Sequence, residues 1–113
     1  MDIPIYNDYM KQGADWGLTL EYLDANGNAI NLTSYTADCE IRDKATGVIL
    51  ATPTIAALGS SGRVALSLTA AQTSAMPAVM SKYDVFITAP TGSPPPVICL
   101  VQGDIEISPR VTT

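Results

Sequence analysis

Residues 12–42 read Gln12-Gly-Ala-Asp-Trp16-Gly-Leu-Thr-Leu-Glu21-Tyr-Leu-Asp-Ala-Asn26-Gly-Asn-Ala-Ile30-Asn-Leu-Thr-Ser-Tyr35-Thr-Ala-Asp-Cys39-Glu-Ile-Arg42, and this stretch decides the fold class. Trp16, Leu18, Leu20 and Tyr22 alternate with Gly17, Thr19 and Glu21, the period of a strand with one face buried. Ala37, Cys39 and Ile41 repeat the pattern against Asp38, Glu40 and Arg42. Each strand carries one apolar face, so the two can share a core. Between them Asn26-Gly27 supplies the positive φ that a tight turn needs.

Working outward, the same period recurs. Asp43-Lys-Ala-Thr-Gly47 reads as a turn, residues 48–52 return as a strand, and Pro53 ends it, having no donor for a ladder. Residues 55–58 make a short apolar run and Gly59-Ser-Ser-Gly62 a loop. Val64, Leu66 and Leu68 alternate inward. Thr69-Ala-Ala-Gln72 matches a capping box and predicts one helical turn over residues 70–74, followed by Pro77 and an apolar segment, residues 76–80, that plugs the end of the core. Residues 83–88 form the next strand, with Tyr83, Val85 and Ile87 inward. Pro90-Thr-Gly-Ser-Pro-Pro-Pro96 is a stiff loop standing off the body. The last strand starts as a continuous apolar run, residues 97–101, and then alternates Val101, Gly103, Ile105 and Ile107 against Gln102, Asp104 and Glu106. A passage from two-sided to one-sided burial is expected there. The predicted core is Leu18, Leu20, Cys39, Ile41, Val64, Leu66, Leu68, Val85, Ile87, Leu100 and Ile105.

About seven short strands with turn residues between them and one short helical turn give an all-β chain, an antiparallel β-sandwich of immunoglobulin-like architecture. Residues 12–113 form its single domain and residues 1–11 an N-terminal arm. The arm carries Ile3, Ile5, Tyr6, Tyr9 and Met10, and is read either as a first edge strand or as a segment that docks on a neighbour. With Pro94, Pro95 and Pro96 of the loop, those five residues are the candidate partner contacts.

Of 113 residues, 47% are apolar and 15% charged, enough to bury a core without a metal or a disulfide, and no cofactor is expected. A net charge of -5 without a basic cluster argues against nucleic acid and against an anionic membrane surface. No apolar window of about 20 residues offers a transmembrane helix, and Met-Asp-Ile-Pro-Ile-Tyr lacks the basic and apolar regions of a signal peptide, so synthesis in a cytoplasm is expected. Cys39 and Cys99 lie in strand runs, either as free thiols or as one strand-clipping disulfide. The chain has no histidine, the commonest general base and metal ligand. Asp104 and Glu106 share a strand face and read as solvated rather than as an acid/base or metal pair; Asp24-Ala-Asn-Gly-Asn28 lacks the distal glutamate of a calcium loop. No catalytic residue, and hence no enzyme, is expected.

The ordered series Gln12-Gly13 with Asp15 and Trp16, Asn26-Gly27, Ile30-Asn-Leu-Thr-Ser-Tyr35, Gly62-Arg-Val-Ala-Leu-Ser-Leu-Thr-Ala-Ala-Gln72, Tyr83-Asp-Val85 and Gln102-Gly103 through Ser108-Pro109 resembles small virion proteins of tailed bacteriophages. It is similar to the N-terminal domain of siphophage upper-baseplate proteins. The chain departs from that pattern by placing Ala14 within Gln-Gly-Asp and Ser34 where glycine is usual. The resemblance implies a β-sandwich subunit of the tail or baseplate, localised to the virion and present in multiple copies. Its partners would be tail, baseplate, fibre or capsid proteins. A capsid decoration or cement protein is the alternative within structural roles. A carbohydrate-binding module is a third reading, for which Tyr6, Tyr9, Tyr35 and Phe86 are the aromatics open to exposure.

Overall fold

A computed structural model describes residues 3–56 and 58–112. Met1 and Asp2 of the arm, Ala57 of the predicted apolar run, and Thr113 lie outside the described residues. In chain order the elements are β1 (Asp8–Lys11), β2 (Trp16–Glu21), β3 (Thr36–Asp43), β4 (Ile49–Ala51), β5 (Thr54–Ala56), β6 (Arg63–Leu68), α1 (Ala70–Ser74), β7 (Met80–Thr88) and β8 (Val97–Ser108). The strands form a five-stranded sheet of order β1-β8-β7-β3-β4 and a three-stranded sheet of order β2-β6-β5. Every pairing is antiparallel except β1 with β8, which is parallel. None of the described helices is long and apolar enough to cross a membrane.

The alternating strands bury the faces their parity predicts. Cys39, Ile41, Tyr83, Val85, Ile87, Val101, Ile105 and Ile107 of the larger sheet share one buried cluster with Trp16, Val64, Leu66 and Leu68 of the smaller. Leu18, Leu20 and Leu100 pack against that cluster half-buried rather than inside it. The connection from β2 to β3 turns at Gly27, where the Asp24 carboxylate accepts the Asn26 and Asn28 amides at 2.8 and 3.0 Å. Those bonds hold the Asp24 carboxyl below its ordinary pKa. The connection then crosses the loop at residues 59–62 and drops Leu32, fully buried, into the core. Only glycine fits at position 62, because its φ is +70° and a Cβ would stand 2.8 Å from the Tyr22 carbonyl oxygen.

Pro53 acts as the sequence requires: β4 ends before it and the chain passes to the other sheet as β5. The capping box forms over the predicted helix. The Thr69 hydroxyl accepts the Gln72 amide at 3.2 Å, and the Thr69 amide donates to Gln72 Oε1 at 2.8 Å. One turn on, the buried Thr73 hydroxyl donates to the Ala14 carbonyl at 2.9 Å and accepts the Gly13 amide at 3.0 Å, which fixes the turn between β1 and β2.

Eight strands are present among the described residues, in keeping with about seven. Three expectations change. β7 starts at Met80, so the sticky segment splits: Met76 is buried in the core while Met80 stands on the outer face of the sheet, 44% exposed. The apolar run that opens β8 reflects a bulge, not two-sided burial. Val85 pairs with Val101 but Phe86 pairs with Cys99, leaving Leu100 as the extra residue, so inward parity passes from Val101 to Ile98. The arm is an edge strand, and Met10, 2% exposed, belongs to the core.

Cys39 is buried and Cys99 half-buried, both as free thiols. Burial pushes the Cys39 thiol up to about 12 and also raises Cys99.

Candidate functional site

The arm reaches the body through backbone bonds that its sequence permits only because residue 103 is glycine. Tyr6 donates its amide to the Gln102 carbonyl at 3.0 Å, and Gln102 donates back to the Pro4 carbonyl at 3.0 Å. The Tyr6 carbonyl turns over Gly103 and accepts the Tyr83 hydroxyl at 2.7 Å. A Cβ at position 103 would overlap that carbonyl oxygen and stand 2.7 Å from its carbon. Tyr83 is thereby buried with its hydroxyl satisfied, and burial pushes its pKa up to about 12. The Asn7 side chain accepts the amide of Asp104 on β8 at 2.9 Å, and β1 follows directly, its residues 8–11 pairing with residues 105–108. The Trp16 indole N–H closes the anchor on Asp8 at 3.1 Å.

This anchoring sorts the predicted contact residues. Ile3, Ile5, Tyr6 and Tyr9 are exposed, with Ile5 at 70% and Tyr9 at 75%. Met10, offered from sequence as a contact, instead fills the core: successive residues of a strand point to opposite faces, and its neighbour Tyr9 takes the outer one. Pro94, Pro95 and Pro96 are exposed as expected. They lie at the far end of β8, six residues from Gln102 and so roughly 20 Å along the strand from the arm's first pairing. Arm and loop are therefore two separate surfaces.

The register assembles three rows across the outer face of the five-stranded sheet. Tyr9, Glu106 and Met80 form the first, with Glu106 opposite both of the others. The second runs from Asp104 through Lys82 to Arg42. The third is Ile5, Gln102, Asp84 and Glu40. Like charges stand directly opposite within the last two rows, Arg42 beside Lys82 and Glu40 beside Asp84. Such pairs are mildly destabilising, and two exposed ion pairs offset them: Arg42 with Glu40 at 2.9 Å and Lys44 with Asp104 at 2.6 Å. The face is thus a shallow charged floor of about 550 Å³ with exposed apolar side chains at its ends. Such a surface suits contact with another macromolecule.

Sequence reasoning missed Met80, Val48, Ile49 and Val97 as exposed apolar groups. The signal for Met80 was present, since Met80, Lys82, Asp84 and Phe86 share one parity. Of the aromatics considered for a sugar platform, Tyr6 and Tyr9 are exposed, whereas Tyr35 and Phe86 are half-buried. Among the described residues no group of three His, Cys, Asp or Glu side chains is placed to hold a metal ion. No protein-family model matches the chain, and no curated protein sequence was found similar to it.

Proposed function

We propose that the chain is a non-enzymatic structural subunit of a tailed-phage virion, placed in the tail or baseplate, where it mediates subunit assembly or fibre attachment. The observation that carries this reading is the row Tyr9–Glu106–Met80, with Ile5 exposed two rows further along the same face. Large apolar groups on the outer face of an already paired sheet have no role in this chain's own core, and they suit a protein partner. The ordered resemblance from Gln12 to Pro109 supplies the class of particle.

The finer architecture is read as an immunoglobulin-like β-sandwich. The strand orders correspond to A′-G-F-C-C′ and B-E-D of such domains, with β1 in the A′ place beside the last strand. The antibody-type disulfide has no counterpart, because Cys39 is on β3 and Cys99 on β8, both in the same sheet. Contact by many copies would let weak individual interfaces hold a particle together.

Disrupting the gene in a host that produces the phage tests the role. Loss of infectious particles, restored by the intact chain and not by a Tyr9→Lys, Met80→Lys form, is the expected result. Unchanged titres after disruption would refute it.

A further inference from the structure

Among the described residues, one edge of β3 is open over most of its length. β7 pairs with β3 along all of Thr36–Asp43, but on the other side β4 covers only Ile41 and Arg42. The chain then leaves the sheet through Thr52 and Pro53, and a proline has no amide to offer. In an antiparallel strand alternate residues aim N–H and C=O to one side, so about two or three of residues 36–40 present both groups to the open side without a strand partner. Beside this edge runs a groove of about 540 Å³. Ile55 and Pro53 form its apolar wall, and Asp38, Glu40 and Asp84 form its rim, with no lysine or arginine lining it. Glu40 is paired with Arg42, while Asp38 and Asp84 make no ion pair among the described residues.

We propose that this edge receives an extended basic segment of a neighbouring protein, added to the five-stranded sheet as a sixth strand. Alternation along that segment places one set of side chains, lysine or arginine, over Asp38 and Asp84 and the other, apolar, set against Ile55 and Pro53. The carboxylates choose the partner. Two copies of this chain meeting edge to edge would set Asp38 and Glu40 against their own kind, and the chain's net charge of -5 adds to that repulsion. A basic strand meets complementary charge instead. The inference deepens the assembly reading by naming the partner's chemistry, and its test on the isolated chain succeeds or fails independently of virion titres.

The test uses the purified chain and the labelled peptide acetyl-Thr-Lys-Val-Lys-Val-Thr-amide, with fluorescence anisotropy for affinity and amide hydrogen exchange for location. Saturable binding that weakens with salt is expected, with new protection confined to residues 36–40. An Asp38→Lys, Asp84→Lys variant, checked for an unchanged melting temperature, should bind about tenfold or more weakly. A peptide N-methylated at alternate residues should not bind, because it keeps its charge but loses the donors of one edge. No saturation by about 1 mM peptide, equal binding of the N-methylated form, or protection at another edge would each overturn the proposal. So would protection of residues 36–40 by self-association without peptide, which would give the edge to a second copy.

Discussion

Replacing Gly103 with alanine should detach the arm. The new Cβ occupies the place of the Tyr6 carbonyl, and backbone, unlike a side-chain tip, cannot rotate away. Moving that carbonyl breaks its bond with the Tyr83 hydroxyl and strains the two backbone bonds between residues 4–6 and Gln102. A buried hydroxyl left unpaired costs about 1–3 kcal/mol, and each backbone bond returned to water about 0.5–1.5 kcal/mol. Alanine regains about 0.5–1 kcal/mol over glycine in a strand. The net loss is about 1–5 kcal/mol, or roughly 4–20 °C in Tm for a domain of this size. Thermal unfolding followed by Trp16 fluorescence suits the measurement, since the buried indole donates to Asp8 on the arm. Tyr83→Phe provides the second leg of a double-mutant cycle. Alone it should cost about 1 kcal/mol, and in the alanine background close to nothing, because the hydroxyl has already lost its acceptor. A Tm within about 2 °C of the parent, or full additivity of the two changes, would refute the link between Gly103, Tyr6 and Tyr83.

Three further outcomes follow from the same geometry. Leu66 sits fully buried on β6, so Leu66→Asp should destabilise by several kcal/mol, and an unchanged denaturation midpoint would mean its face is wrongly assigned. Ser34 holds φ +69° in the turn closed by the Tyr35 amide on Leu32, so Ser34→Gly should stabilise by about 0.5–1 kcal/mol; a loss of stability on urea unfolding would show the serine side chain matters there. Tyr83 and Cys39 both have pKa values raised in the folded state, so the stability they contribute is complete below their unfolded values and is lost as pH rises through about 12. Tm should accordingly fall by an amount equivalent to a few kcal/mol between about pH 9 and 12, less steeply in Tyr83→Phe, and a flat profile would contradict the burial of both groups.

Parity was the strongest signal in the sequence. Strands β2, β3 and β6 and the inward set of β7 follow it, because each alternates against polar neighbours and only one face can be buried. The helix was legible because a capping box is a local device whose partners are three residues apart. Parity failed where apolar residues are adjacent. Tyr9 and Met10 allow either face to turn inward, and the run through Leu100 hides the bulge that exchanges the faces of β8. The pairing of β1 with β8 joins residues 97 positions apart, which no period of two can reveal. Of the candidate site, the apolar character of the arm could be read from its own residues, but which of Tyr9 and Met10 faces out could not. The Tyr9–Glu106–Met80 row needed three strands in register, and the open edge of β3 needed the point at which β4 stops.

The placement in a virion is tested most directly by immunogold electron microscopy of particles purified from the phage-producing host, using antibody raised against this chain. The account predicts gold at the tail or baseplate in a pattern repeated around the particle axis. Label confined to the head would transfer the chain to capsid decoration, and unlabelled particles from a lysate that contains the chain would contradict a structural role in the virion.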